Sequence, residues 1–297
     1  MIAFGRKLKL LKKMWPLIPA ALYLIGFLVI VSLFLLGLSL SVTSRGQTTF
    51  PALQTYQAIF SDSEFWVALV NSTIFVIIGT PLELLTGLIL AVILYKRFIM
   101  RNAVRSLLLI PLAIPALVTA ILLLILFDYP GGHINHLLMG NYSLLPGVIQ
   151  HPVNWRGSTL FALGVSMLGK IWRDMPISML IIIAGLNAID PLLFDAARTM
   201  GAGWRKQLTS VIIPLILPSI SAVLLLRSIE MWKEFIFPFV LAGRFNLLGT
   251  LIELFYNDWS NPHKAAAVAV VLVVCISLTA VVLFVLTELT RRLLTGR

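Results

Sequence analysis

The stretch Asp190-Pro191-Leu192-Leu193-Phe194-Asp195-Ala196-Ala197-Arg198-Thr199-Met200-Gly201 lies between two long apolar runs and has the grammar of a short surface helix. Asp190 suits an N-cap, because its carboxylate accepts from the free amides of a first turn, and Pro191 suits the first helical position, where no donor is needed. Gly201 reaches the left-handed conformation that ends a helix at little steric cost. A second helix then fits Trp204 to Ile213, before Pro214 and Pro218. The spacing predicts a helix-turn-helix elbow over 190–214. About ten helical residues at ~1.5 Å each make a rod of about 15 Å. Leu193, Ala196, Ala197 and Met200 run along one side of it, the shape of a docking knob. The competing reading is an interfacial helix lying on lipid.

The runs on either side set the solvent. Of 297 residues, 59% are apolar and only 12% charged, more apolar than a water-exposed surface tolerates. A bilayer core of about 30 Å takes about 20 helical residues to cross. Runs of that order read as spans over Pro16–Leu40, Phe65–Tyr95, Ser106–Phe127, Leu160–Ala188, Pro218–Ala242 and Ala265–Leu289. The alternating segments of about ten residues that build a membrane barrel are absent. The first run follows Arg6, Lys7, Lys9, Lys12 and Lys13, but at 25 residues without a small-residue cleavage site it reads as a retained anchor. The expected fold is an all-α polytopic membrane protein with about six transmembrane helices and the elbow between the fourth and fifth. Residues 1–15 form a lead, and 16–297 a single transmembrane domain that includes the elbow at 190–214. Asp128 to Thr159, rich in Gly and Pro, reads as an irregular loop with one short helix. Cys275 is the sole cysteine and lies in an apolar run, so there is no disulfide framework and no thiolate metal site.

A net charge of +11 invites a nucleic-acid reading, but the basic residues cluster beside the apolar runs. Fifteen Lys and Arg fall on one face: the lead, Lys96 to Arg105, Arg198 to Lys206 and the C-terminal tail. The other face carries Arg45, Arg156, Arg244 and Lys264. By the positive-inside rule both termini are cytoplasmic.

The elbow resembles the cytoplasmic motif of membrane subunits of binding-protein-dependent ABC importers, E-A-A-x3-G-x9-I-x-L-P. Asp195, Ala196, Ala197 and Gly201 take the first four places, and Val211, Ile213 and Pro214 the last three, with Asp for Glu, Val for Ile and Ile for Leu. The resemblance covers most of the chain and is nearest the sugar-importing, maltose-type branch. It is carried further by Asn71 to Thr73, Pro81-Leu82-Glu83-Leu84, Pro111 to Pro115, Gly132 to Leu138, Ile171-Trp172 with Pro176, and Trp232-Lys233-Glu234-Phe235. It implies a permease subunit in a prokaryotic inner membrane, forming the pathway for a sugar or related solute. It further implies a homologous permease partner in a heterodimer, two ATP-binding subunits holding ATP and Mg, and an extracytoplasmic solute-binding protein. Asp195, Ala196, Ala197, Arg198, Gly201, Ala202 and Pro214 would then couple to the ATPase. The chain lacks G-x4-G-K-[ST], so no enzymatic activity, cofactor or metal is expected on it.

Charges inside hydrocarbon need partners or water. Within the spans Lys170, Arg173, Arg227 and Lys233 stand against Asp174, Glu230 and Glu234. Lys170 and Asp174 are four apart, as are Glu230 and Glu234, so each pair is expected on one helix face. The resemblance places Lys170, Asp174, Met231 and Glu234 near the substrate cavity, with Trp232 available to stack on a sugar ring, and the shared helix face adds Glu230 to the substrate pathway. The alternative is that these charges form gates or salt bridges. His133 and His136 are three apart, but no Cys or carboxylate cluster accompanies them, so they read as loop residues. Two further readings remain: an ion-coupled carrier, and a membrane enzyme transferring a lipid-linked sugar with Asp174, Glu230 or Glu234 as acid or base.

Overall fold

In the computed structural model, residues 15–44, 47–96, 98–243 and 247–295 are described. The basic lead of residues 1–14, together with Arg45, Arg97, Arg244 and Arg297, lies outside them. The helices in chain order are α1 Ile18–Ser39, α2 Gln54–Phe60, α3 Ser63–Tyr95, α4 Arg101–Ala113, α5 Ala116–Leu126, α6 His133–Leu138 and α7 Thr159–Asn187. There follow α8 Pro191–Thr199, α9 Trp204–Leu215 with a π turn at Leu208–Ile212, α10 Leu217–Trp232, α11 Ile236–Leu241, α12 Leu248–Glu253 and α13 Pro262–Thr295. A two-stranded hairpin, Val42–Ser44 with Gln47–Thr49, is the departure from an all-helical chain.

Among the described residues, helices α1, α3 and α13 are long and apolar enough to cross a bilayer unbroken, and three bent pairs give up to six crossings if each pair counts as one. At 33 residues, α3 is about 50 Å long, well beyond the hydrocarbon thickness. Asp62 starts it by accepting from Glu64 N at 3.0 Å. Two spans expected as continuous are broken. The third, Ser106–Phe127, is α4 and α5 meeting at 94°. Its break is Ile114-Pro115, where the proline ring pushes the preceding residue into extended backbone (φ −84°, ψ 130°). The fifth, Pro218–Ala242, stops at Trp232 and resumes at Ile236.

Helices α3 and α7 are the most intimately packed pair, and Gly87 sets their approach: a Cβ there would lie 2.6 Å from the Ser178 Cβ. Helix α1 is exposed along most of its length and is tied in at its end, where Tyr56 Oη donates to Ser39 Oγ and Ser41 Oγ meets His263 Nδ1, each at 3.0 Å.

The core is divided. One apolar cluster gathers Phe75, Val76, Met231 and Trp232 with α12 and the start of α13. A second, toward the elbow, gathers Ala91, Leu94, Met179, Ile182, Leu186, Phe194, Ile212 and Val223. On both α3 and α10 a charged residue separates the two clusters: Glu83 between Val76 and Ala91, and Arg227 between Val223 and Met231.

Candidate functional site: a buried charge layer and a surface elbow

Six charged side chains meet between these clusters. Lys170 Nζ lies 2.6 Å from Asp174 Oδ2 and 3.1 Å from Glu234 Oε2. Arg173 Nη1 holds the other Asp174 oxygen at 2.6 Å. Arg227 Nη1 lies 3.2 Å from Glu83 Oε1 and 3.9 Å from Asp174 Oδ2. Ser178 Oγ donates to Glu83 Oε1 at 3.2 Å, and Arg173 Nε donates to the Ile114 carbonyl at 3.3 Å. That carbonyl belongs to the break between α4 and α5, so the proline that opens the span also leaves an acceptor for Arg173.

Glu83, Lys170, Asp174, Arg227 and Glu234 are all buried, and Arg173 is partly so. Three positive groups thus face three negative ones. Taking any of them from water costs several kcal/mol, so the layer is stable only as a matched set. Even so, Glu83 Oε2 and Arg227 Nε find no hydrogen-bond partner among the described residues. The layer ties α3, α7, α10, the segment after α10 and the break before α5 into one assembly.

Of the residues expected along a pathway, Lys170, Asp174 and Glu234 are brought together, and each is occupied by an ion pair within the chain. Glu230 is not among them. It is partly exposed and pairs with Lys233 at 3.1 Å. Nor do Glu230 and Glu234 share a helix face, because α10 ends at Trp232. Glu234 instead accepts from Phe237 N at 3.1 Å, capping the start of α11 while it binds Lys170. Met231 is buried against Gly79, and Trp232 is buried with its Nε1 donating to Thr279 Oγ1 at 3.0 Å. Glu83 is the acid absent from the sequence tally; a lone carboxylate inside the apolar run of the second span was the available signal. His133 Nδ1 lies 2.6 Å from Tyr142 Oη, and His136 Nδ1 lies 2.8 Å from Asn141 Nδ2.

The elbow forms at the opposite end of α7 from Ser158, bending away at 71°. Asp190 accepts from Leu192 N at 2.9 Å, and Gly201 ends α8 with φ +78°. Phe194 and Ala197 point inward and are buried, whereas Leu192, Leu193, Ala196 and Met200 are exposed, Met200 to 86%. Ala197 therefore belongs to the inner face of α8, not to the outer edge expected for it. Asp195 and Arg198 are exposed and 3.8 Å apart. Ala202 accepts from Gln207 Nε2 at 2.6 Å, which fastens the turn to α9, and Pro214 lies near the end of that second arm.

Residues 83–295 match the model of the family described as binding-protein-dependent transport system inner membrane component. The trehalose/maltose transport system permease protein MalF of Thermococcus litoralis is 32% identical over 228 residues, covering 77% of this chain and 75% of the relative. The trehalose transport system permease protein SugA of Mycobacterium tuberculosis is 27% identical over 268 residues, covering 88% and 84%. Among solved structures, a bacterial ABC transporter that imports the acidic polysaccharide alginate superposes with a TM-score of 0.78 at 18% identity, over 95% of this chain and 98% of that one.

Proposed function

Given that this chain belongs to the binding-protein-dependent transport system inner membrane components, with both the charge layer and the elbow inside the matched residues 83–295, we propose that it forms half of a sugar passage driven by a separate ATPase. A homologous permease supplies the other half, making a heterodimer. Two ATP-binding subunits hold ATP and Mg, and a solute-binding protein delivers from the far side. The membrane is the inner membrane of a prokaryote, and both termini and the elbow face the cytoplasm, in keeping with the clustering of Lys and Arg beside the elbow end of the spans.

The observation that carries this reading is the elbow's exposed apolar edge of Leu192, Leu193, Ala196 and Met200. Such an edge on a short rod outside the bilayer is a surface made to be covered. Asp195, Arg198, Gly201 and Ala202 flank it along α8 and its turn, Pro214 lies near the end of the second arm, and Ala197 is buried on the inner face. The sugar class is supported by the relatives' trehalose and maltose transport. Lys170, Asp174 and Glu234 then act as the braced wall of the passage, with Met231 and Trp232 packed behind it.

The test is co-purification from membranes of a complex containing the candidate ATPase. Leu193→Asp with Met200→Asp should abolish recovery of the ATPase while the partner permease is retained. Recovery of both subunits at native levels would refute the assignment of the dock.

A further inference from the structure

Helix α3 ends in two consecutive residues that hold the two arms of the elbow separately. Tyr95 lies against Phe194 of the first arm, ring centres 5.9 Å apart. Lys96, the residue that caps α3 in extended backbone, places its Nζ 4.4 Å from the ring centre of Trp204, the first residue of the second arm. The Phe194 contact is apolar and buried, part of the cluster that also contains Ala91, Leu94 and Leu186. The Trp204 contact is exposed and rests on attraction between a cation and a ring face. Between them, and with Pro191, Asp195 and Arg198, they line an open surface hollow of about 520 Å³. Since α8 and α9 are joined through the left-handed Gly201, the arms have one pivot between them and α3 touches both, Phe194 of the first and Trp204 at the start of the second; farther along the second arm Leu208 and Ile212 join the buried cluster.

Helix α3 runs unbroken from this clamp to Glu83, thirteen residues back, or about 20 Å along a helix. Glu83 is bound to Arg227 of α10 and Ser178 of α7. A continuous helix thus connects the elbow to the charge layer; at its end Tyr95 meets the first arm within the buried cluster and Lys96 meets the first residue of the second arm at the surface.

We infer that Lys96 is a positioning residue for energy coupling: its seat on Trp204 carries movement of the elbow into α3, and so to the Glu83 end of the charge layer. This rests on the proposed docking of an ATPase at the elbow. Loss of the cation frees the first turn of the second arm from the end of α3, whereas arginine, which also stacks on indole, preserves the contact. Because Lys96 is exposed and makes no buried contact, its replacement leaves the core intact.

The experiment requires no knowledge of the solute. Spin labels at Ile93→Cys on α3 and Val285→Cys on α13, both exposed positions, with Cys275→Ser, report a distance in the complex of permease pair and ATPase. The complex is measured without nucleotide and after trapping with ATP, Mg and vanadate. A shift of about 2 Å, the scale of helix displacements at packed interfaces, is expected in the labelled parent and in Lys96→Arg, and its loss in Lys96→Met and Trp204→Leu. A shift that persists in Lys96→Met, or none in the parent complex with its ATPase bound, overturns the inference. Failure of any ATPase to bind the parent would instead overturn the functional reading beneath it.

Discussion

The middle of the chain and its elbow hold opposite charges in opposite ways. In the charge layer Lys170 and Asp174 are 2.6 Å apart with 4% of each side chain exposed, whereas on the elbow Asp195 and Arg198 are 3.8 Å apart with more than two thirds of each in solvent. A buried pair is strongly coupled because neither partner has water to return to; an exposed pair is screened and contributes between about 0 and 1 kcal/mol. The layer therefore constrains which residues may stand there. The elbow constrains backbone and shape, so Asp195 in a motif position usually held by Glu is of little energetic consequence.

The largest expected effect lies in the layer. Glu83→Leu alone leaves Arg227 buried without its nearest carboxylate and should destabilise the protein by about 3–5 kcal/mol. Glu83→Leu with Arg227→Leu removes both charges and should recover most of that loss. Thermal unfolding in detergent of the two single variants and the double one measures the coupling. Additive losses would show that the layer is open to water and erase the contrast.

Next in size is the elbow's turn. A Cβ on Gly201 meets no atom within 4 Å, so Gly201→Ala tests backbone conformation alone. The left-handed φ of +78° predicts a local cost of about 1–2 kcal/mol. Faster amide exchange across Pro191–Thr199 with unchanged exchange in α7 is the expected signature. Asp190→Ala removes the N-cap of the same helix and should cost about 1 kcal/mol, read by the same exchange. Smallest of all, Asp195→Asn should change stability by no more than about 0.5 kcal/mol. A loss above 1 kcal/mol would mean that the elbow's charges are coupled as tightly as those of the layer.

The same contrast explains what the sequence made legible. The elbow is written locally: Asp190, Pro191 and Gly201 each act on neighbouring backbone, so its ends were readable and the structure places them where the chemistry requires. Several membrane passages, three unbroken and up to six with the bent pairs, were readable from apolar length, but their interruptions were less so. Ile114-Pro115 carried a signal that an uninterrupted span ignores. The stop after Trp232 carried one in Pro238, which cannot donate to the Glu234 carbonyl, but the turn of Glu234 to Lys170 and to Phe237 N was not readable. The membership of the layer was the least legible. Partners such as Glu83 and Arg227, 144 residues apart, meet only through the packing of α3 and α10, and i, i+4 spacing wrongly joined Glu230 to Glu234.

The most direct test of the account is binding-protein-stimulated ATP hydrolysis by the proposed complex of this chain with a partner permease and an ATPase, reconstituted with native Gly201 and with Gly201→Pro. Proline cannot adopt φ +78° and removes the donor that reaches the Arg198 carbonyl at 2.9 Å. The account predicts that stimulation is lost while the permease pair still assembles in the membrane; stimulation at the native level in Gly201→Pro would contradict it.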